Sequence, residues 1–281
     1  MPGGGRSAPG DRGFPGLAGV QEGVGLGAHA GARVQQAGGP GRIKGIGIGA
    51  PNGNYYKNTI EYAANLPWKG IIPFAKMVQD KFKVPVKLTN DANAAAVGEM
   101  MYGAAKGMKD FIMITLGTGV GGAAIIGKKV FTGGRGNAME PGHTPSANGK
   151  VLERNIGKNE LLDLANNMRR EYTGETQLPD DGSISTTGLV AAAADNDKLA
   201  LQVFERVGEL LGENLCHLVA ILDINLILIG GGLSASFDYI LPSMKRKLNQ
   251  WLTKYHASDL TIKRATLGND AGLLGAASLC F

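Results

Sequence analysis

FIMITLGTGVGGAAIIGKKVFTGG, Phe111–Gly134, is two apolar runs around a glycine-rich turn. The pattern predicts a β-hairpin, and that reading decides the fold class. A nucleotide loop of the Walker type would continue into Gly-Lys-Ser/Thr, and a dinucleotide-binding turn would continue into a helix. Here a second strand follows, so neither applies. Glycines in the turn LGTGVGGA (116–123) expose backbone N–H groups that suit phosphate oxygens, and Thr118 adds a hydroxyl. A hairpin that simply needs glycine explains the same residues.

On either side of this hairpin, strand and helix signals alternate. IKGIGIGAP (43–51) reads as a buried strand stopped by Pro51, and Ile72–Phe82 carries a helical pattern. VPVKLTND (84–91) is a short strand that hands over to a helix rich in small residues, ANAAAVGEMMYGAA (92–105). An irregular stretch spans 135–150, and helical patterns follow at about 157–172 and 186–220. INLILIGGGLS (224–234) is a buried strand ending in a second glycine turn, an open platform for a base and ribose or a tight strand–helix junction. A helix near 239–255, a strand at 260–268 and a helix begun by Asn269 or Asp270 complete an α/β order.

Composition narrows the function classes. The chain has 281 residues, a net charge of +5 and two distant cysteines, Cys216 and Cys280, which fit a reducing cytoplasm and no disulfide framework. No apolar run approaches the roughly 18–20 residues of a membrane span. Basic residues are interleaved with acidic ones, which reads as a solvated surface and not as a nucleic-acid footprint. Residues 1–42 differ from the rest: they contain no Ile, Lys, Asn, Thr or Tyr and are dominated by Gly, Ala, Pro and Arg. A non-native reading frame, a fused segment or a natural disordered arm would each produce this switch, and disorder is the expectation.

Asp91 sits where a buried strand meets a helix. Asp is a favoured helix N-cap, so a capping role is open. A carboxylate at such a junction also suits a general base. Two glycine turns in one half of an α/β chain and an acid in the other half are more informative together than apart.

Seven stretches in order carry a family resemblance: GIGIGAP (45–51), NLPW (65–68), TNDANAAAVGE (89–99), ITLGTGVGGA (114–123), EPGH (140–143), IGGGLS (229–234) and LGNDAGLLGAA (267–277). Through them residues 43–281 resemble the ROK family (repressor, open reading frame, kinase), which includes glucokinases, other sugar kinases and sugar-responsive repressors. The resemblance implies an actin-like ATPase (ribonuclease H-like) α/β fold of two lobes. The partial N-terminal lobe would be 43–108 with the terminal helix 269–281, and the nucleotide-binding lobe 109–268. It implies Asp91 as the base that takes the proton of a sugar hydroxyl as it attacks the γ-phosphate of ATP, with Mg²⁺. It implies hexose contacts from Asn65, Asn90, Glu140, His143 and Glu153. Nucleotide contacts would come from Gly117, Thr118, Gly119, Gly121, Gly231, Gly232 and Ser234. The expected activity is glucokinase-like in a cytoplasmic homodimer without nucleic-acid or membrane partners.

Two departures stand out. Many members hold zinc with a histidine and a cysteine cluster, but TPSANGKVLE (144–153) after His143 has no cysteine, so no metal site is expected. The family's opening strand, Asp-x-Gly-Gly-Thr, is not found. The N-terminal lobe is therefore expected to be incomplete, with exposed strand edges. Two alternatives follow. One is a sugar-binding regulator, which would need a helix-turn-helix that 1–42 does not offer. The other is an inactive truncated homologue.

Overall fold

The computed structural model describes residues 43–63 and 66–280. The readings made for 1–42 and for Asn65 lie outside the described residues.

The larger sheet is built around the hairpin. Strands β1 (Ile46–Ala50), β2 (Gly53–Asn54), β3 (Thr59–Glu61), β4 (Ile71–Ile72) and β5 (Val86–Asn90) precede it, and β6 (Phe111–Leu116) and β7 (Val120–Ile126) form it. With β8 (Lys129–Val130), β9 (Leu226–Gly230) and β10 (Thr261–Arg264) they give a five-stranded order β10-β9-β6-β7-β8. β10, β9 and β6 are parallel, and β7 runs antiparallel to both of its neighbours, β6 and β8.

Strand periodicity splits β6 between two helical layers. Ile112, Ile114 and Leu116 pack into one core with residues of α4 (Lys158–Glu171), α5 (Thr186–Ala194), α6 (Lys198–Leu222) and α7 (Phe237–Trp251). Phe111 and Met113 pack on the other face against Ala92, Ala95 and Ala96 of α2 (Asp91–Tyr102). A third core gathers Ile48, Phe74, Val86 and Leu88, joining β1 and β5 to α1 (Phe74–Phe82). Among the described residues β1 and β5 form a two-stranded parallel sheet, and β2, β3 and β4 a separate small one.

Helix α2 lies against both the larger sheet and α9 (Asp270–Ser278). Small residues set how closely α2 and α9 approach. A Cβ at Gly275 would overlap the Ala94 carbonyl oxygen and lie 2.6 Å from Gly98 N, where ordinary contact begins at 3.4 Å. The contact is reinforced by Glu99, which is fully buried. Its carboxylate accepts from Thr266 N (2.9 Å), Leu267 N (2.8 Å) and Ala104 N (2.7 Å), and from the Thr266 hydroxyl (3.2 Å). A buried carboxylate survives only when its oxygens are satisfied in this way.

The stretch expected to be helical over 186–220 is broken. α5 ends at Ala194, Asn196 adopts a left-handed conformation (φ 62°), and α6 restarts after Asp197. Asp197 explains the restart. Its Oδ1 caps Ala200 N at 3.0 Å, while Oδ2 accepts from Gln177 N and the Thr176 hydroxyl.

Candidate active site

The β5–α2 junction shows which residue is the cap. Asn90 is extended (φ −64°, ψ 151°) and its side-chain oxygen accepts from Ala92 N at 2.8 Å, so Asn90 is the N-cap. Asp91 is the first helical residue, and its Oδ1 also lies 2.8 Å from Ala92 N. Asp91 remains open to solvent although protein crowds it on most sides. Loss of hydration there pushes its carboxyl above the usual aspartate range, against the pull of the Ala92 N–H and its own N–H.

The hairpin turn lies next to this junction. Gly121 of β7 faces the start of α2: a Cβ there would touch the Ala92 methyl at 3.4 Å. Gly122 backs onto Pro141, 2.6 Å from a built Cβ, and Gly142 is pressed against the Val120 carbonyl. At 121 the nearest obstacle is the Thr115 hydroxyl, 2.6 Å from a built Cβ, while glycine is needed at 122 and 142 because backbone passes a proline ring or backbone with no room for a side chain. Their effect is to draw the 3₁₀ turn Pro141–His143 and its preceding Glu140 alongside β7.

Glu153 arrives from a third direction. It begins the single turn α3 (Glu153–Ile156), anchored by the fully buried Leu152. Its Oε2 accepts from Val120 N at 3.1 Å, across 33 positions of sequence. The tip of the hairpin is closed by Gly117 N donating to Gly119 O (3.0 Å). It is tied to the start of α4 by Lys158 N donating to the Gly117 and Thr118 carbonyls.

The charges of these side chains reach one another. Burial pushes the Glu140 carboxyl up, the neighbouring His143 pulls it down, and the charges of Asp91 and Glu153 push it up again. Asp91, Glu140, His143 and Glu153 are thus within electrostatic reach. They are not drawn tightly together: among the described residues no group of three His, Cys, Asp or Glu is arranged to hold a metal ion.

The second glycine turn sits beside the first. β6 and β9 are parallel neighbours, with Thr115 opposite Gly230, so both strands end at the same edge of the sheet. Gly231 (φ 87°) turns the chain directly against Leu116, leaving 2.7 Å between a built Cβ and Leu116 N. Gly231 and Gly232 are exposed and Ser234 is half-buried. Ligands of α/β sheets commonly bind at the carboxyl ends of parallel strands. A groove of about 580 Å³, lined by Asp110, Asp223, His256 and Asp259, lies at the opposite end, where β6 and β9 begin.

Apart from Asn65, the residues singled out in the sequence therefore converge on one region. Others there carried no sequence signal. Asn54 donates to the Arg135 carbonyl (2.8 Å), Tyr56 donates to the Gly133 carbonyl (3.1 Å), and the Thr132 hydroxyl donates to Tyr56 (2.9 Å). These bonds steady the loop that delivers Glu140. The segment after His143 is held by Asn214 of α6, which meets the Thr144 and Ser146 hydroxyls. A Pro145–Val151 bridge closes it.

The chain is similar to known proteins in sequence and in fold. A glucokinase of Halalkalibacterium halodurans is 35% identical over 82% of this chain and 74% of its own length. A xylose repressor of Caldicellulosiruptor bescii is 29% identical over 84% of this chain and 62% of its own. The crystal structure of a ROK family glucokinase from Streptomyces griseus, in complex with glucose and AMPPNP, superposes with a TM-score of 0.73. That match is 30% identical and covers 84% of this chain and 81% of that one. The ROK family model itself matches residues 31–281. By that match and by its two glycine turns at one sheet edge, the chain belongs to the ROK family and has the actin-like, ribonuclease H-like α/β fold of its sugar kinases.

Proposed function

We propose that this chain transfers the γ-phosphoryl group of ATP to a hexose, most simply glucose, giving glucose 6-phosphate. The observation that carries the reading is Asp91: a solvent-exposed carboxylate at a strand-to-helix junction, crowded by protein, beside a glycine hairpin. In this reading the sugar hydroxyl oxygen forms a new bond to the γ-phosphorus. The bond from that phosphorus to the β,γ-bridging oxygen breaks, ADP leaves, and the hydroxyl proton passes to Asp91. A base whose pKa is raised toward the working pH accepts such a proton better than a fully solvated aspartate would.

Asn90, Glu140, His143 and Glu153 are the proposed hydroxyl partners, with Asn65 a further candidate outside the described residues. The backbone of Gly117–Gly121 is the proposed phosphate cradle, and Gly231, Gly232 and Ser234 the platform for the nucleoside. Mg²⁺ carried on the triphosphate would neutralise charge between the β- and γ-phosphates; a metal held mostly by phosphates asks for few protein ligands. The proposed division is a lobe of 43–108 with 269–281 and a nucleotide lobe of 109–268, in a cytoplasmic homodimer without nucleic-acid or membrane partners.

The test is direct. Purified protein with glucose and Mg-ATP is expected to form the sugar phosphate, and Asp91→Asn to slow it by about 10²–10⁴-fold. Equal turnover by the variant would remove Asp91 as the base. Absence of turnover in the wild type, across a panel of hexoses and amino-hexoses, would remove the kinase reading.

A further inference from the structure

We infer that Glu153 is a positioning residue that makes hexose binding and nucleotide binding depend on each other. The inference rests on the kinase reading and extends it. The Glu153 carboxylate does two things at once. It belongs to the acid cluster with Asp91 and Glu140. It also holds the hairpin, because its Oε2 accepts from Val120 N (3.1 Å).

The hairpin has given up a side chain to make this contact. A Cβ on Gly119 would collide with the Glu153 Oε2 and lie 2.7 Å from its Cδ, so the carboxylate fills the space that residue 119 leaves. The backbone at 119 is not in the left-handed region, which means its glycine serves the carboxylate and not an unusual φ angle. Val120 is wedged on its other side as well, its carbonyl pressed on Gly142 between Glu140 and His143. The same short segment grips the turn a second time through Lys158 N on the Gly117 and Thr118 carbonyls.

A hexose hydroxyl donated to Glu153 fixes this carboxylate, and with it the Val120 N–H and the turn whose amides would meet the phosphates. Ordering paid at one site is then not paid at the other, which is positive coupling, and coupling of this kind is equal in both directions.

Titration calorimetry tests it with two probes, glucose and Mg²⁺–AMP-PNP, each measured alone and in the presence of the other. The wild type is expected to bind either probe about 5-fold or more tightly when the other is present. In Gly119→Ala the new methyl displaces the flexible carboxylate end, and the two affinities are expected to become independent while circular dichroism stays unchanged. Glu153→Ala is expected to do the same. Glu153→Gln is expected to restore coupling, since an amide oxygen still accepts from Val120 N, while its KM for glucose rises.

Independent binding in the wild type overturns the inference and leaves the kinase reading standing. So does coupling that persists in both Gly119→Ala and Glu153→Ala. A wild type that neither binds nor phosphorylates any hexose overturns the kinase reading, and the inference with it.

Discussion

Two substitutions three residues apart on α9, chemically identical, are expected to have opposite effects. At Gly275 an added Cβ would overlap the Ala94 carbonyl oxygen and stand 2.6 Å from Gly98 N; ordinary contact starts at 3.4 Å. Both obstacles are backbone, so the helices must part by at least the 0.8 Å between those values. Overpacking of this kind costs about 1–3 kcal/mol or more. Backbone obstacles place Gly275→Ala at the upper end, and the better helix propensity of alanine returns only about 1 kcal/mol. At Gly272 nothing lies within 4 Å of the built Cβ. Gly272→Ala keeps the propensity gain, about 0.5–1 kcal/mol, with no clash. The two variants should therefore differ by about 3 kcal/mol, which for a chain of this size is roughly 6–12 °C in Tm. Thermal unfolding followed by circular dichroism reads this gap. The displacement should also reach the chemistry. Asp91 begins the helix that Gly275 pushes, and a misplacement near 1 Å can cost on the order of 10²-fold in rate. Below its Tm, Gly275→Ala is expected to lose hexose phosphorylation while Gly272→Ala retains it. If the two variants melt together, within about 1 °C, the close approach of α2 and α9 is not as described.

Asp91→Asn should slow turnover by about 10²–10⁴-fold without lowering Tm, because it removes a carboxylate whose charge the fold disfavours; a drop in Tm comparable to a core variant would contradict that environment. The same raised carboxyls set a pH dependence. Asp91 and Glu140 bind protons more readily folded than unfolded, so their contribution to stability is full at acid pH and is lost as pH rises through their folded values. Turnover should follow the opposite course, with an acid limb above the usual aspartate range, read from a kcat/KM profile. Glu99→Ala takes the acceptor from three part-buried N–H donors, at about 1 kcal/mol each, and should lower Tm by about 6 °C or more. Tyr56→Phe removes two hydrogen bonds to the 132–133 loop and should cost about 0.5–1.5 kcal/mol for each by urea denaturation.

What could be read in the sequence was local. Apolar alternation gave β6 and β7, and glycine clusters marked the turns at 117–119 and 231–232. The strand-to-helix change placed Asp91 at a junction, though Asn90 and Asp91 both suit an N-cap and only the backbone angles separate them. Strands of two or three residues such as β2, β3 and β4 are too short to show a period. The restart of α6 did have a local signal, since Asp195, Asn196 and Asp197 are weak helix formers and good caps, but strongly helical runs on both sides mask it. The contacts that assemble the site join distant positions: Asn54 to Arg135, Glu153 to Val120, Glu99 to Leu267. No periodicity reports such pairings, since a hydrogen bond across 168 positions leaves no trace in either neighbourhood.

The last of these pairs has a consequence for how the protein is made. Three of the four hydrogen bonds to the Glu99 carboxylate come from Thr266 and Leu267, and α2 packs against α9 at Asp270–Ser278. On a translating ribosome the helix that begins with Asp91 is finished long before anything exists to clamp its buried side. Nascent chains stopped short of those residues would carry every proposed reactive group yet hold Asp91 loosely, and their small-residue helix face would be open to chaperones or to premature association. Emergence of residues 266–278 from the ribosome, not synthesis of the reactive segment, would then be the moment at which Asp91 is held in place.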